Sequence, residues 1–240
     1  MIGTIINTIA VLVGGTVGLL FGTRLSEQIK QTVIIGLGLF TFGIGVKMFI
    51  DTQNSIVVLF SLLVGGILGE LGRIEDRLQR FGIWLESRVQ KKHGGTEESN
   101  RFIRGFITTS LVFCVGPMTF LGSIQDGLTG DYRLLAIKSV LDGFAALAFS
   151  SSLGVGVLFS VIVILGYQGG LSLLAIQVQG VISEAMIVEM TSVGGILLIG
   201  IALSSLLEIK AIRVGNFLPS LVIAPLFGWL LSFLNISLGY

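Results

Sequence analysis

Asp142 stands inside a long apolar stretch, four residues after Lys138. A carboxylate at the centre of a membrane helix costs about 2.5–3.5 kcal/mol on insertion scales, so such residues face a pathway or a partner. The four-residue spacing puts Lys138 on the same helical face, where an ion pair would neutralise both groups. Unpaired, Asp142 becomes a proton or cation site. Asn7 and Thr4 share one turn of another apolar stretch. A buried asparagine there can bond helices together, worth about 0.6 kcal/mol, or line a polar site shared with Asp142. A third group follows the break Gly116-Pro117, with Thr119, Gln125 and Asp126 beyond it. Proline and glycine inside a membrane free backbone groups that must be satisfied by protein or by a water-filled cavity. Broken helix ends of that kind can aim dipoles and carbonyls at a substrate; the alternative is an interfacial loop with Asp126 solvated.

The elements that position these residues follow from composition. The chain has 240 residues, 52% hydrophobic and 12% charged, with 34 glycines and three prolines. Soluble domains carry roughly 25% charged residues, so a soluble enzyme, a disulfide scaffold and a disordered chain are excluded. About 20 apolar residues make a spanning helix, and spans are expected near 2–22, 31–50, 55–71, 134–166, 186–206 and 216–236. Eight of the 15 Lys and Arg lie between Arg73 and Arg104. Beside a span, that cluster marks a cytoplasmic loop, which puts the N-terminus outside. Acids interleave with these cations, so nucleic acid is not an expected partner. Within the loop, Ile74, Leu78, Phe81, Leu85 and Val89 recur at helical spacing beside Trp84, predicting an interfacial amphipathic helix. Cys114 is the single cysteine and His93 the single histidine. No HExxH, GxSxG or P-loop pattern occurs, so no catalytic residue, metal site or cofactor is expected.

The two halves show weak self-similarity. Leu25-Ser26-Glu27 matches Ile182-Ser183-Glu184, and residues 17–22 match 155–160. Arg24 and Lys30 flank the first turn of the first half, whereas Lys210 and Arg213 flank the second turn of the second half. Reversed charge bias favours an inverted repeat. Inversion needs an even number of crossings between the third span and Arg133, which a re-entrant hairpin at 102–128 would supply. A full crossing there would make the repeats parallel and put Lys210 outside.

The run Cys114-Val-Gly-Pro-Met-Thr-Phe-Leu-Gly-Ser-Ile-Gln-Asp-Gly-Leu128, with Lys138-Ser-Val-Leu-Asp-Gly143 and the opening Gly3-Thr-Ile-Ile-Asn7, resembles uncharacterised bacterial inner-membrane proteins of the YqgA/YdfK type. The resemblance covers essentially the whole chain. It implies a multi-pass inner-membrane protein with at most a suggested transport role, and supplies no substrate.

The expected architecture is therefore an all-α polytopic membrane protein. Residues 1–72 form one three-span repeat, 73–101 a cytoplasmic loop, 102–132 a broken or re-entrant segment, and 133–240 a second three-span repeat. Small-solute or ion transport is the leading expectation. Its pathway would be lined by Asp142, Asn7, Lys138, Gly116, Pro117, Thr119, Gln125 and Asp126. A scaffold or sensor acting through the basic loop is the alternative. Expected partners are the lipid bilayer and an unidentified solute or ion. The ridge Gly14, Gly18 and Gly22 is expected to pack helices within a protomer or across a homodimer. Glu184 and Glu189 read as interfacial acids or a cation-attracting mouth, and Tyr167, Gln168 and Gln177 as interfacial residues.

Overall fold

A computed structural model describes residues 1–89, 96–179 and 183–233. Lys91, Lys92, His93, Gly94, Gly95, Ile182 and residues 234–236 of the expected last span lie outside the described residues. The described chain is helical throughout: α1 (Ile2–Gly22), α2 (Glu27–Ile50), α3 (Ser55–Leu71), α4 (Ile74–Val89), α5 (Thr96–Cys114), α6 (Pro117–Thr129), α7 (Arg133–Leu153), α8 (Ser160–Leu173), α9 (Ala175–Gln179), α10 (Glu184–Ile201) and α11 (Ser220–Phe233). Among the described residues, five helices (the one at α8 taken with the 3-10 turn before it) are long and apolar enough to cross a membrane. The bent pairs α3–α4 and α5–α6 bring the total to as many as seven, and α11 lies in a shorter apolar helix.

The boundaries have local causes. The Ser26 and Ser183 hydroxyls accept from the Ile29 and Met186 amides at the starts of α2 and α10, and the Asn54 side chain caps α3. Gly116, at φ 141°, interrupts the α5–α6 span in a conformation open to glycine, and Pro117 starts α6 where no intrahelical donor is needed. Gly154, at φ 82°, ends α7.

Contacts sort the chain into two ends. Arg101 donates to the Ser152 carbonyl, Ser152 Oγ to the Lys30 carbonyl, and Arg213 pairs with Glu70. These mark a basic end. Met1 N lies 3.0 Å from Asp126, Ser172 Oγ donates to the Ser123 carbonyl, and Glu189 meets the 51–54 turn, all at the far end. The α5–α6 segment therefore starts beside the basic end and finishes at the far end, bent by 63°. It is broken rather than re-entrant, because Asp126 is held against the start of α1. The expected single span at 134–166 is also two helices, since Gly154 lets the chain turn back from α7 into α8. These two differences cancel in parity. Arg213 still lies at the basic end, bonded to Glu70.

Glycines set the closest approaches. The α1 ridge packs on α7: Gly14 against the Gly143 carbonyl, Gly18 against Leu147 and Gly22 against Ser151. That regular offset makes the two helices parallel, and the ridge is occupied within the chain. Gly45 of α2 and Gly195 of α10 each face the other's carbonyl. Two helix groups result, α1 with α5–α8 and α2 with α3, α10 and α11. Helix α4 packs on α5: Leu85 is buried against Phe102 and Phe106, while Phe81 and Trp84 stay partly exposed.

A Cβ at residue 18 would collide with the Leu147 carbonyl and Ser150 Oγ, whereas one at residue 43 meets open space. Gly18→Ala is expected to destabilise by about 1–3 kcal/mol, and Gly43→Ala to be neutral or stabilising by up to about 1 kcal/mol. Thermal unfolding of the purified variants checks this; equal melting temperatures would contradict the tight α1–α7 contact.

Candidate functional site

Three helices bring four polar side chains together in the apolar interior. Helix α7 supplies Lys138 and Asp142, one turn apart; α1 supplies Asn7, and α8 supplies Gln168. They are 6%, 8%, 0% and 1% exposed, respectively. Lys138 and Asp142 form a close ion pair through Nζ and Oδ2. Asn7 Nδ2 donates to Asp142 Oδ2 at 3.0 Å and to Gln168 Oε1 at 3.1 Å. Asp142 is the tenth residue of α7, about 14 Å along the helix from its start. The ion pair therefore sits far from both ends of a span.

The site is incompletely satisfied. Asn7 Oδ1, Gln168 Nε2 and the Thr4 hydroxyl, one helical turn from Asn7, are buried without a partner. A buried polar group left unbonded costs about 1–3 kcal/mol. An acceptor, a donor and a hydroxyl are thus free around a neutralised charge pair. Such a set suits a small polar solute, a water that relays protons, or an ion that displaces part of the pair.

The other expected residues divide. Asp142, Asn7 and Lys138 meet in one place. Thr119 donates to the Phe113 carbonyl at 3.0 Å, satisfying a backbone group freed by the break. Asp126 Oδ2 accepts from Gly3 N at 3.1 Å and lies beside Met1 N, capping the start of α1, where the helix dipole favours an anion. Gln125 is exposed and reaches Asp131. The stretch from Gly116 to Asp126 therefore does not converge on Asp142: the bonds of Thr119, Gln125 and Asp126 are made elsewhere.

Gln168 is the residue that sequence reasoning misplaced. Expected at an interface, it is buried in the cluster; its signal was a carboxamide in the middle of an apolar helix. Glu189 is also not a mouth. Its carboxylate accepts from the Gln53 and Asn54 amides at 2.9 and 2.8 Å and from the Thr52 hydroxyl at 2.7 Å, fastening the α2–α3 turn to α10. Glu184 is exposed. Among the described residues, no group of three or more His, Cys, Asp or Glu could hold a metal ion.

A buried ion pair at mid-helix, within a bundle of apolar helices, defines a polytopic membrane protein with a polar centre. The chain belongs to the family described as Protein of unknown function (DUF554), whose model matches residues 2–229. It is 31% identical over 229 residues to the Uncharacterized membrane protein YdfK of Bacillus subtilis, covering 94% of each chain. It is likewise 31% identical over 229 residues to the Uncharacterized protein YqgA of Escherichia coli, covering 93% of this chain and 94% of that one. No solved structure matches.

Removing one member of a buried pair leaves the other charge uncompensated. Asp142→Leu is expected to cost about 3–5 kcal/mol, whereas the double change Lys138→Met with Asp142→Leu recovers most of it. A double-mutant cycle on unfolding in mild detergent reads the coupling; additive losses would mean that the pair is not formed.

Proposed function

We propose that the protein is a transporter or channel for a small solute or ion, with its site at Asp142, Lys138, Asn7 and Gln168. The observation that carries this is the charge pair buried among polar atoms that no protein group satisfies. A purely structural pair would be expected to close its own hydrogen bonds. In this conformation the pair is occluded at both ends of α7. Access requires the two helix groups to part, and a cavity of about 650 Å³ already lies beside them, reaching Cys114 and Tyr167 next to Gln168.

An inverted repeat fits the same reading. The matched segments before α2 and α10 are both serine-capped, and α2 leaves the basic end while α10 returns to it. The second match does not follow the inversion, since residues 17–22 and 155–160 both lie at the basic end. Under the positive-inside rule the basic end faces the cytoplasm, with the N-terminus outside, as expected for a bacterial inner membrane. One group of helices rocking against the other would expose the site alternately.

In proteoliposomes screened against ions and small metabolites, the wild type is expected to catalyse flux of at least one solute. Asp142→Asn, which costs stability but keeps the side chain's size, should abolish that flux in protein verified as folded and monodisperse. Persistent flux in Asp142→Asn would exclude this site. A second reading, a scaffold acting through α4, is supported by the exposed Trp84 with Arg88 5.4 Å above its ring. It predicts that function tolerates Asp142→Asn and is lost on neutralising Arg77, Arg80 and Arg88.

A further inference from the structure

Helix α5 carries a second set of polar groups that the ion-pair site does not use. Arg104 Nε, Thr108 Oγ1 and Ser110 Oγ are buried without hydrogen-bond partners. Thr108 is 1% exposed and Ser110 5%. They line two adjoining cavities. One, of about 400 Å³, lies at the basic end between α4, α5 and the turn after α10. Its walls include Arg104, Thr108 and Ser204, with Glu75 held by the Gly215 amide and Glu208 paired with Arg104. The other is the apolar cavity of about 650 Å³, walled by Ser110, Leu111, Cys114, Tyr167, Leu221 and Pro225. The cavities share Ile107 and both abut α4. Their sizes fall within the roughly 300–1,000 Å³ of ligand sites.

We infer that these cavities form a binding site for one glycerophospholipid, with its phosphate at Arg104 and Thr108, an acyl-ester carbonyl at Ser110, and an acyl chain in the apolar cavity. The polarity runs in the right order, from the basic end inward. The three donors extend over six residues, about 9 Å along the helix, too far for one carboxylate and suited to a molecule with acceptors on both phosphate and ester. Phe81 and Val222 on the apolar wall are exposed, so the cavity opens on the flank that the bilayer covers. Arg104 also pairs with Glu208 through another nitrogen, which leaves its Nε available. The apolar cavity is the one that adjoins the proposed transport site, but lipid binding there is read without flux.

Cys114, the chain's single cysteine, reports occupancy from the cavity wall. Delipidated full-length protein in mild detergent is alkylated with N-ethylmaleimide and followed by intact mass, with dioleoylphosphatidic acid as the probe. At saturating lipid, alkylation is expected to slow by about tenfold or more, since protection scales with ligand over Kd. Dioleoylglycerol, lacking the phosphate, should protect much less, and inorganic phosphate not at all. Leu111→Trp fills the cavity and should abolish protection. Ser110→Ala, which removes only an unpartnered hydroxyl and keeps the fold, should require more lipid for the same effect. No protection of the wild type, equal protection by dioleoylglycerol, or unchanged protection in Ser110→Ala would each overturn the assignment.

Discussion

Hydrocarbon cannot solvate a charge, so Lys138 and Asp142 must neutralise one another where they stand. That requirement organises half of the molecule. Asp142 takes a further bond from Asn7, which draws α1 against α7, and Asn7 in turn reaches Gln168 and binds α8. The close approach is made possible by the glycines of α1, which let backbone meet backbone below the polar layer. Without the charge pair, these three helices would keep the Asn7–Gln168 bond and the Ser150 bond to the Gly15 carbonyl, and otherwise apolar contacts, which lipid tails offer equally well. The polar centre therefore supplies specificity of assembly as well as a site with free hydrogen-bonding capacity.

A second constraint is the backbone itself. Each break in a span frees carbonyls and amides, and the chain answers each with a nearby side chain. Thr119 serves the Gly116 break, Asp126 the start of α1, and Glu189 the turn between α2 and α3. These residues look functional by chemistry, yet their bonds are already committed to the backbone. Asn7 and Gln168 differ because their remaining atoms lie beside the Lys138–Asp142 pair, whereas the free Asp126 Oδ1 lies at the start of α1. Position beside the buried pair, more than burial, separates candidate site residues from structural polar residues in this protein.

Much of this was legible in the sequence. Charge scarcity revealed the membrane class, and the four-residue spacing of Lys138 and Asp142 revealed the pair. Asn7 stood out as an amide in an otherwise apolar helix. Two features were hidden. The turn at Gly154 follows the run Ser150-Ser151-Ser152, too short a polar interruption to mark a boundary by hydropathy, and the chain turns on a glycine at positive φ. Gln168 follows Tyr167, a residue typical of interfaces, and its burial depends on how α8 packs against α1, a long-range contact that a carboxamide within an apolar helix signals only weakly.

The two ends of the bundle are fastened by different physics. At the far end, the buried carboxylates of Asp126 and Glu189 grip backbone amides. At the basic end, Arg213–Glu70 is a solvent-facing pair and Arg104–Glu208 a partly exposed one. Exposed pairs are weak and screened by salt, whereas bonds made in a dry interior are not. Rising ionic strength therefore weakens these exposed pairs, while the bonds that Asp126 and Glu189 make to backbone amides are little screened.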